Sequence, residues 1–120
     1  MSAKRLLFVF SNSPFGNALG AEGLDAVLAA SVFDQDVTLI FQLDGIYQLM
    51  KDGDTADIGI KDHRKGFKAL EMYGVDTILV DAMDMEARGI TESQLAIPAQ
   101  PVDRTKITET IHQADAIFTF

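Results

Sequence analysis

"FVFSNSPFGNALGAEGLDAVLAA", residues 8–30, decides the fold. It opens inside an apolar run, Arg5 to Phe10, passes through a polar turn with glycines, and continues into a segment with helical spacing from Gly20 to Phe33. A short continuous apolar run bounded by turn residues reads as a strand buried on both faces. In the helix, Leu24, Val27, Leu28 and Val32 recur at helical intervals, and Glu22 and Asp25 suit its positive N-terminal end. Strand, glycine turn and helix are also the layout of a phosphate-binding loop. Here Gly16, Gly20 and Gly23 are spaced G-x3-G-x2-G, which matches neither G-x-G-x-x-G nor the P-loop pattern. No Lys or Arg lies between Asn12 and Phe33, and Glu22 and Asp25 would repel an anion at the helix entrance. The glycines are therefore read as serving tight turns and close helix–sheet packing, and no cofactor is expected. The loop leaves the C-terminal end of a strand, the edge on which open α/β sheets place their sites.

The rest of the chain repeats the alternation. Asp36 to Gln42 (DVTLIFQ) reads as a second buried strand, and Asp44-Gly45 as a turn or the cap of a short helix through Ile46, Tyr47, Leu49 and Met50. Lys51 to Asp62 is polar and reads as a surface loop. His63 to Tyr73 is helical, with Phe67, Leu70 and Tyr73 on one face and Gly74 as its stop. Asp76 to Val80 is a third strand and Met83 to Arg88 a short helix ended by Gly89. Gln94 to Ala99 (QLAIPA) is the expected fourth strand, with Pro98 favouring its end or an edge. Asp103 to Gln113 is a helix and Ala116 to Phe120 a last strand. Alternating strands and helices imply βαβ units, a mostly parallel sheet and helices on both faces. The fold class is thus α/β: a single three-layer α/β/α domain over residues 1–120, with no repeat, low-complexity tract or linker.

Composition excludes several functions. A formal net charge of −8 makes direct nucleic-acid binding a poor fit, because the phosphate backbone dominates that affinity. The chain has no cysteine, so it forms no disulfide, offers no thiolate to a metal and carries no persulfide. The apolar run after Lys4 and Arg5 is too short for a signal peptide, and no stretch reaches the roughly 20 apolar residues that span a bilayer. The expectation is a soluble cytoplasmic protein with no membrane partner.

Other candidate motifs have plainer readings. Asp52, Asp54, Asp57 and Asp62 crowd one loop, but "DGDTAD" lacks the calcium-loop order and its distal Glu, so a solvated loop is expected. His63 and His112 have no metal-ligand or triad partner at a diagnostic spacing and read as surface residues, leaving no metal site expected. Ser11 and Ser13 follow the first strand without the G-x-S-x-G turn of a nucleophile. A phospho-receiver domain would share Asp81 after the third strand, but needs acidic residues after the first, where "SNSP" stands.

Three segments together, "FVFSNSPFGNALGAEGLDAVLAA", "FQLDGIYQLM" and "FKALEMYGVDTILVDAMDMEARGI", resemble the DsrE/DsrF-like family, and within it the DsrF-type subunit of a sulfur-relay complex. The resemblance covers essentially the whole chain. It implies a parallel five-stranded sheet and a heterohexamer with related TusB-like and TusD-like subunits, two copies of each. Such a complex passes persulfide sulfur between carrier proteins, ending in 2-thiouridine at the wobble position of tRNA or, in related complexes, serving sulfur oxidation. The sulfur-carrying sibling keeps its Cys after the third strand, before a short helix ending in Arg and Gly. Here that stretch is "LVDAMDMEARG", and Asp81 stands about where the thiol would be. The resemblance thus implies a noncatalytic subunit with no catalytic residue of its own.

Pro14, Phe15 and Gly16 are the candidate interface residues, since an exposed loop aromatic commonly anchors a contact; the alternative for Phe15 is packing onto its own helix. Expressed alone, the chain is expected to form a homo-oligomer through the surfaces that hold its siblings. The competing reading is a stand-alone small-molecule-binding or enzymatic α/β domain, which rests only on the tendency of such folds to bind ligands at strand ends.

Overall fold

Phe8 and Phe10 pack on one side of their strand and Leu7 and Val9 on the other, and this alternation divides the core in two. The computed structural model describes residues 4–13, 19–33, 35–50, 63–75 and 77–120. Five strands form one sheet: β1 (Arg5–Phe10), β2 (Asp36–Phe41), β3 (Thr77–Asp81), β4 (Gln100–Val102) and β5 (Ala116–Thr119). Their order is β4-β3-β2-β1-β5 and every pair is parallel, with Phe10 opposite Phe41 and Phe8 opposite Phe118.

The order follows from handed crossovers. Stepping from β1 through β2 and β3 to β4 moves one way across the sheet, so right-handed connections keep their helices on one face. Stepping back from β4 to β5 moves the other way and carries its helix to the opposite face. The core agrees. Leu24 and Val27 of α1 (Leu19–Ser31), Phe67 and Leu70, and Met85 of α2 (Ala82–Ala87) pack with Phe8, Phe10, Leu39 and Phe41. Ile107 of α3 (Arg104–Gln113) packs with Leu7, Val9, Ile40 and Leu79. Aromatic rings thicken the first layer: Phe10 stacks on Phe41 at 4.9 Å between centroids, and Phe67 meets both edge-on.

Gly23 shows what the glycines of the opening stretch do. A Cβ there would run into the rings of Phe10 and Phe120, so only glycine lets α1 lie this close to the sheet. Gly20 and Gly23 both lie within α1 and are buried there, while Gly16 lies outside the described residues.

Two helical segments, Leu43–Leu49 and His63–Tyr73, are 3-10 helices. Their buried residues come in pairs three apart (Gly45 with Gln48, Ile46 with Leu49, Phe67 with Leu70), which suits three residues per turn. Tyr73 does not continue its series: it is exposed, as are Val32 and Phe33 beyond the end of α1. Gly74 ends its helix as expected, with positive φ, Val75 N–H donating to Leu70 O and Gly74 N–H to Glu71 O.

The fourth strand is a correction. It runs over Gln100–Val102 and not over Gln94 to Ala99. Pro98 has no N–H for a ladder, and Leu95 is spent elsewhere: it is buried, it bridges Met50 in antiparallel fashion, and Ala96 N–H donates to Leu49 O at 2.6 Å. Pairing with β3 resumes only beyond the proline, on an edge strand that tolerates Pro101.

Candidate functional site

The C-terminal ends of the strands carry a chain of alternating charges. Asp81 is the last residue of β3 and the N-cap of α2: its Oδ1 accepts from the Asp84 N–H at 3.0 Å. Its Oδ2 lies 3.4 Å from Nε of Arg104, the first residue of α3. The same guanidinium donates from Nη2 to Asp84 Oδ1 at 3.2 Å. Asp84 Oδ2 accepts the backbone N–H of Leu43 at 2.8 Å. Arg88, one helical turn on, sits 3.9 Å from Asp84 Oδ1 and donates to Asp44 Oδ1 from Nε and Nη2. The order is Asp44–Arg88–Asp84–Arg104–Asp81, drawn from the ends of β2, β3 and β4.

Burial makes this chain consequential. Asp81 and Asp84 are 3% and 6% exposed. A carboxylate taken out of water needs compensation, and both obtain it from backbone N–H groups and arginine together. Among the described residues no buried side-chain nitrogen or oxygen lacks a partner. Asp81 therefore has both oxygens engaged, which suits a structural cap.

The neighbouring loops are fixed with equal care. Gly45 is required by close approach: a Cβ there would collide with the backbone carbonyl of Phe10. Leu43, just before it, takes φ +50, the one positive φ among the described residues that are not glycine. The Asp84 carboxylate on its N–H holds it there. Gln48 is buried and donates to Asn12 O at 3.2 Å, while Gln42 donates to Ser11 Oγ at 3.1 Å. The "FQLDGIYQL" segment thus clamps the start of the loop after β1. The Ser11 hydroxyl thus accepts from a side-chain amide, while its backbone N–H donates to Phe120 O.

Of the residues singled out in the sequence, Asp81 sits at the centre of this edge. Pro14, Phe15 and Gly16 lie outside the described residues, as do Asp52, Asp54, Asp57 and Asp62. His63 begins a 3-10 helix, and His112 is exposed in the last turn of α3. Among the described residues no three acidic or histidine side chains are placed to hold a metal ion, and no helix is long and apolar enough to cross a membrane. Asp84, Arg88 and Arg104 were not singled out, and Asp44, read as a turn or a cap, lies instead within the first turn of the Leu43–Leu49 helix, whose N-cap is Gln42. The i, i+4 spacing of Asp84 and Arg88 was a visible signal, but Arg104 and Asp44 join only through the sheet order.

A profile of the DsrE/DsrF-like family matches residues 4–120. The chain belongs to the DsrE/DsrF-like family. It is 40% identical over 116 residues to the "Protein TusC homolog" of Aliivibrio fischeri, covering 97% of this chain and 98% of that protein. It is 32% identical over 131 residues to the "Intracellular sulfur oxidation protein DsrF" of Allochromatium vinosum, covering 98% of this chain and 96% of that one. The YchN protein of E. coli has the same fold, with a TM-score of 0.80 at 16% identity over 98% of this chain and 99% of its own. The DsrE/DsrF-like assignment accounts for the all-parallel five-stranded sheet and bears out the likeness seen in the sequence.

Proposed function

We propose that this chain is the thiol-free, TusC-type subunit of a cytoplasmic sulfur relay that supplies sulfur for 2-thiouridine at the tRNA wobble position. In this reading residues 1–120 act as one domain among TusB-like and TusD-like siblings in a heterohexamer, with the sulfur carriers docking on the complex. Persulfide transfer needs a thiolate: the acceptor thiolate attacks the outer sulfur, the S–S bond breaks, and the donor leaves as thiolate. The observation that carries the reading is Asp81. At the strand end where the sulfur-carrying sibling is expected to hold its Cys, this chain has a carboxylate tied to a helix N–H and to Arg104. A carboxylate cannot carry sulfane sulfur. The chain's part is then to support a sibling that does, with Pro14, Phe15 and Gly16 as contact residues.

The likeness to an intracellular sulfur oxidation protein favours a second destination, in which the same relay serves sulfur oxidation. One experiment separates these readings from a stand-alone domain: purify the tagged chain from its host and identify what accompanies it. Two small siblings, one with a reactive Cys, support the relay; a chain that emerges alone rejects it. Thiolated tRNA measured after loss of the gene then decides the destination.

A further inference from the structure

The segment that does not join the sheet leaves a hollow behind it. Leu95 is drawn off to Met50, and β4 pairs with β3 only from Leu79 onward. Between this segment, the start of β3 and the end of the His63–Tyr73 helix lies a cavity of about 180 Å³. Its walls are apolar, with Phe67, Leu70, Val75, Ile78 and Ile97 among them, and Glu71 is its one charged lining residue among the described residues. Phe67, Leu70 and Val75 are only 1–2% exposed, so the cavity is set into the body of the domain. Protein interiors leave few voids larger than a water molecule, and an apolar void gives water none of the polar partners it needs. Roughly 150 Å³ of apolar space holds a benzene ring.

We propose that this cavity binds a small hydrophobic amine: one aromatic ring or branched alkyl group bearing an ammonium. The apolar group lies between Ile78 and Ile97, and the ammonium meets the Glu71 carboxylate at the mouth. Glu71 is exposed, and nothing among the described residues pairs with its carboxylate. An adjoining hollow shares Ile78, Ile97 and Pro98, and among the described residues it is lined by Glu92 and by no basic side chain. The charge along the whole trough thus favours a cation and opposes an anion. An enclosed apolar site with a single placed charge suits a free small molecule better than a protein surface. The site lies at the N-terminal ends of the strands, away from the charge chain of Asp81, and the inference does not depend on the sulfur-relay reading.

Nuclear magnetic resonance titration of the isotope-labelled full chain with benzylamine, benzyl alcohol and benzoate tests it. Benzylamine should shift the amides of Val75, Ile78 and Ile97 saturably, with a Kd on the order of 1 mM for so few atoms. Benzoate should bind about tenfold more weakly, with benzyl alcohol between the two. Glu71→Gln keeps the cavity and removes the charge, and should bring the three ligands to within about threefold of one another. Ile97→Phe fills the cavity and should abolish binding of all three, with far-ultraviolet circular dichroism confirming that the variant is folded. The proposal is overturned by the absence of saturable shifts at these residues up to about 20 mM benzylamine, well above the expected Kd. It is overturned equally by benzoate binding as tightly as benzylamine, or by a preference for the amine that Glu71→Gln leaves unchanged.

Discussion

Arg104 lies over Asp81 and Asp84 at once, its Nε 3.4 Å from the first carboxylate and its Nη2 3.2 Å from the second. This one side chain ties the start of α3 to the end of β3. The two carboxylates are buried while the arginine is largely exposed, so the exposed partner is the one that can be removed without opening the core. Arg104→Ala should leave two buried acids short of a partner and cost about 1–3 kcal/mol. Denaturant unfolding of the isolated chain measures it. A loss near zero would mean that water replaces the guanidinium at no cost.

Gly45 gives a sharper expectation. Any side chain there must displace the backbone of Phe10 at the C-terminal end of β1. Gly45→Ala should cost at least about 3 kcal/mol, in the range reserved for backbone collision and core overpacking. The check is soluble yield and the urea midpoint. Gly74→Ala is the control: no atom lies near its Cβ position, and its cost comes from positive φ alone, about 1 kcal/mol.

Leu43 is the opposite case. Its positive φ strains a residue with a Cβ, and its side chain is about half exposed. Leu43→Gly removes that strain, about 1–2 kcal/mol, at an entropic cost of about 0.5–1 kcal/mol. The net expectation is an isolated chain as stable as the parent or slightly more so, measured by thermal unfolding. Were the same variant to weaken co-purification of siblings, the strain would be serving the display of an apolar side chain at the functional edge.

The sequence made the frame legible because strands buried on both faces read as continuous apolar runs, as in "LLFVF" and "VTLIF". The helix stop at Gly74 was legible for a local reason of the same kind. Two things were not. The run "QLAIPA" has strand composition, but its place was decided by Leu95 bridging Met50, a contact across 45 positions that no local pattern reports. The charge chain was hidden for a similar reason: Asp44, Asp84 and Arg104 meet only because β2, β3 and β4 end side by side.

Asp81→Asn bears on the function itself. The cap needs an acceptor at Oδ1, and asparagine supplies one, so α2 should keep its start. The ion pair with Arg104 is lost, but that guanidinium retains Asp84, and the expected stability loss is about 1 kcal/mol. If this subunit carries no sulfur chemistry, the assembled complex with Asp81→Asn should transfer persulfide and support tRNA thiolation at nearly the parent rate. The alternative is electrostatic: a carboxylate near the sibling's thiol would raise the thiol pKa, and removing it would speed attack at neutral pH. Arg104 argues against a large effect, because it stands against the carboxylate and offsets its charge. Transfer rates measured against pH with both proteins therefore separate the two. An unchanged profile leaves Asp81 as a cap. A profile displaced to lower pH makes it a tuning charge, and loss of transfer with assembly intact would place it in the chemistry and overturn the noncatalytic reading.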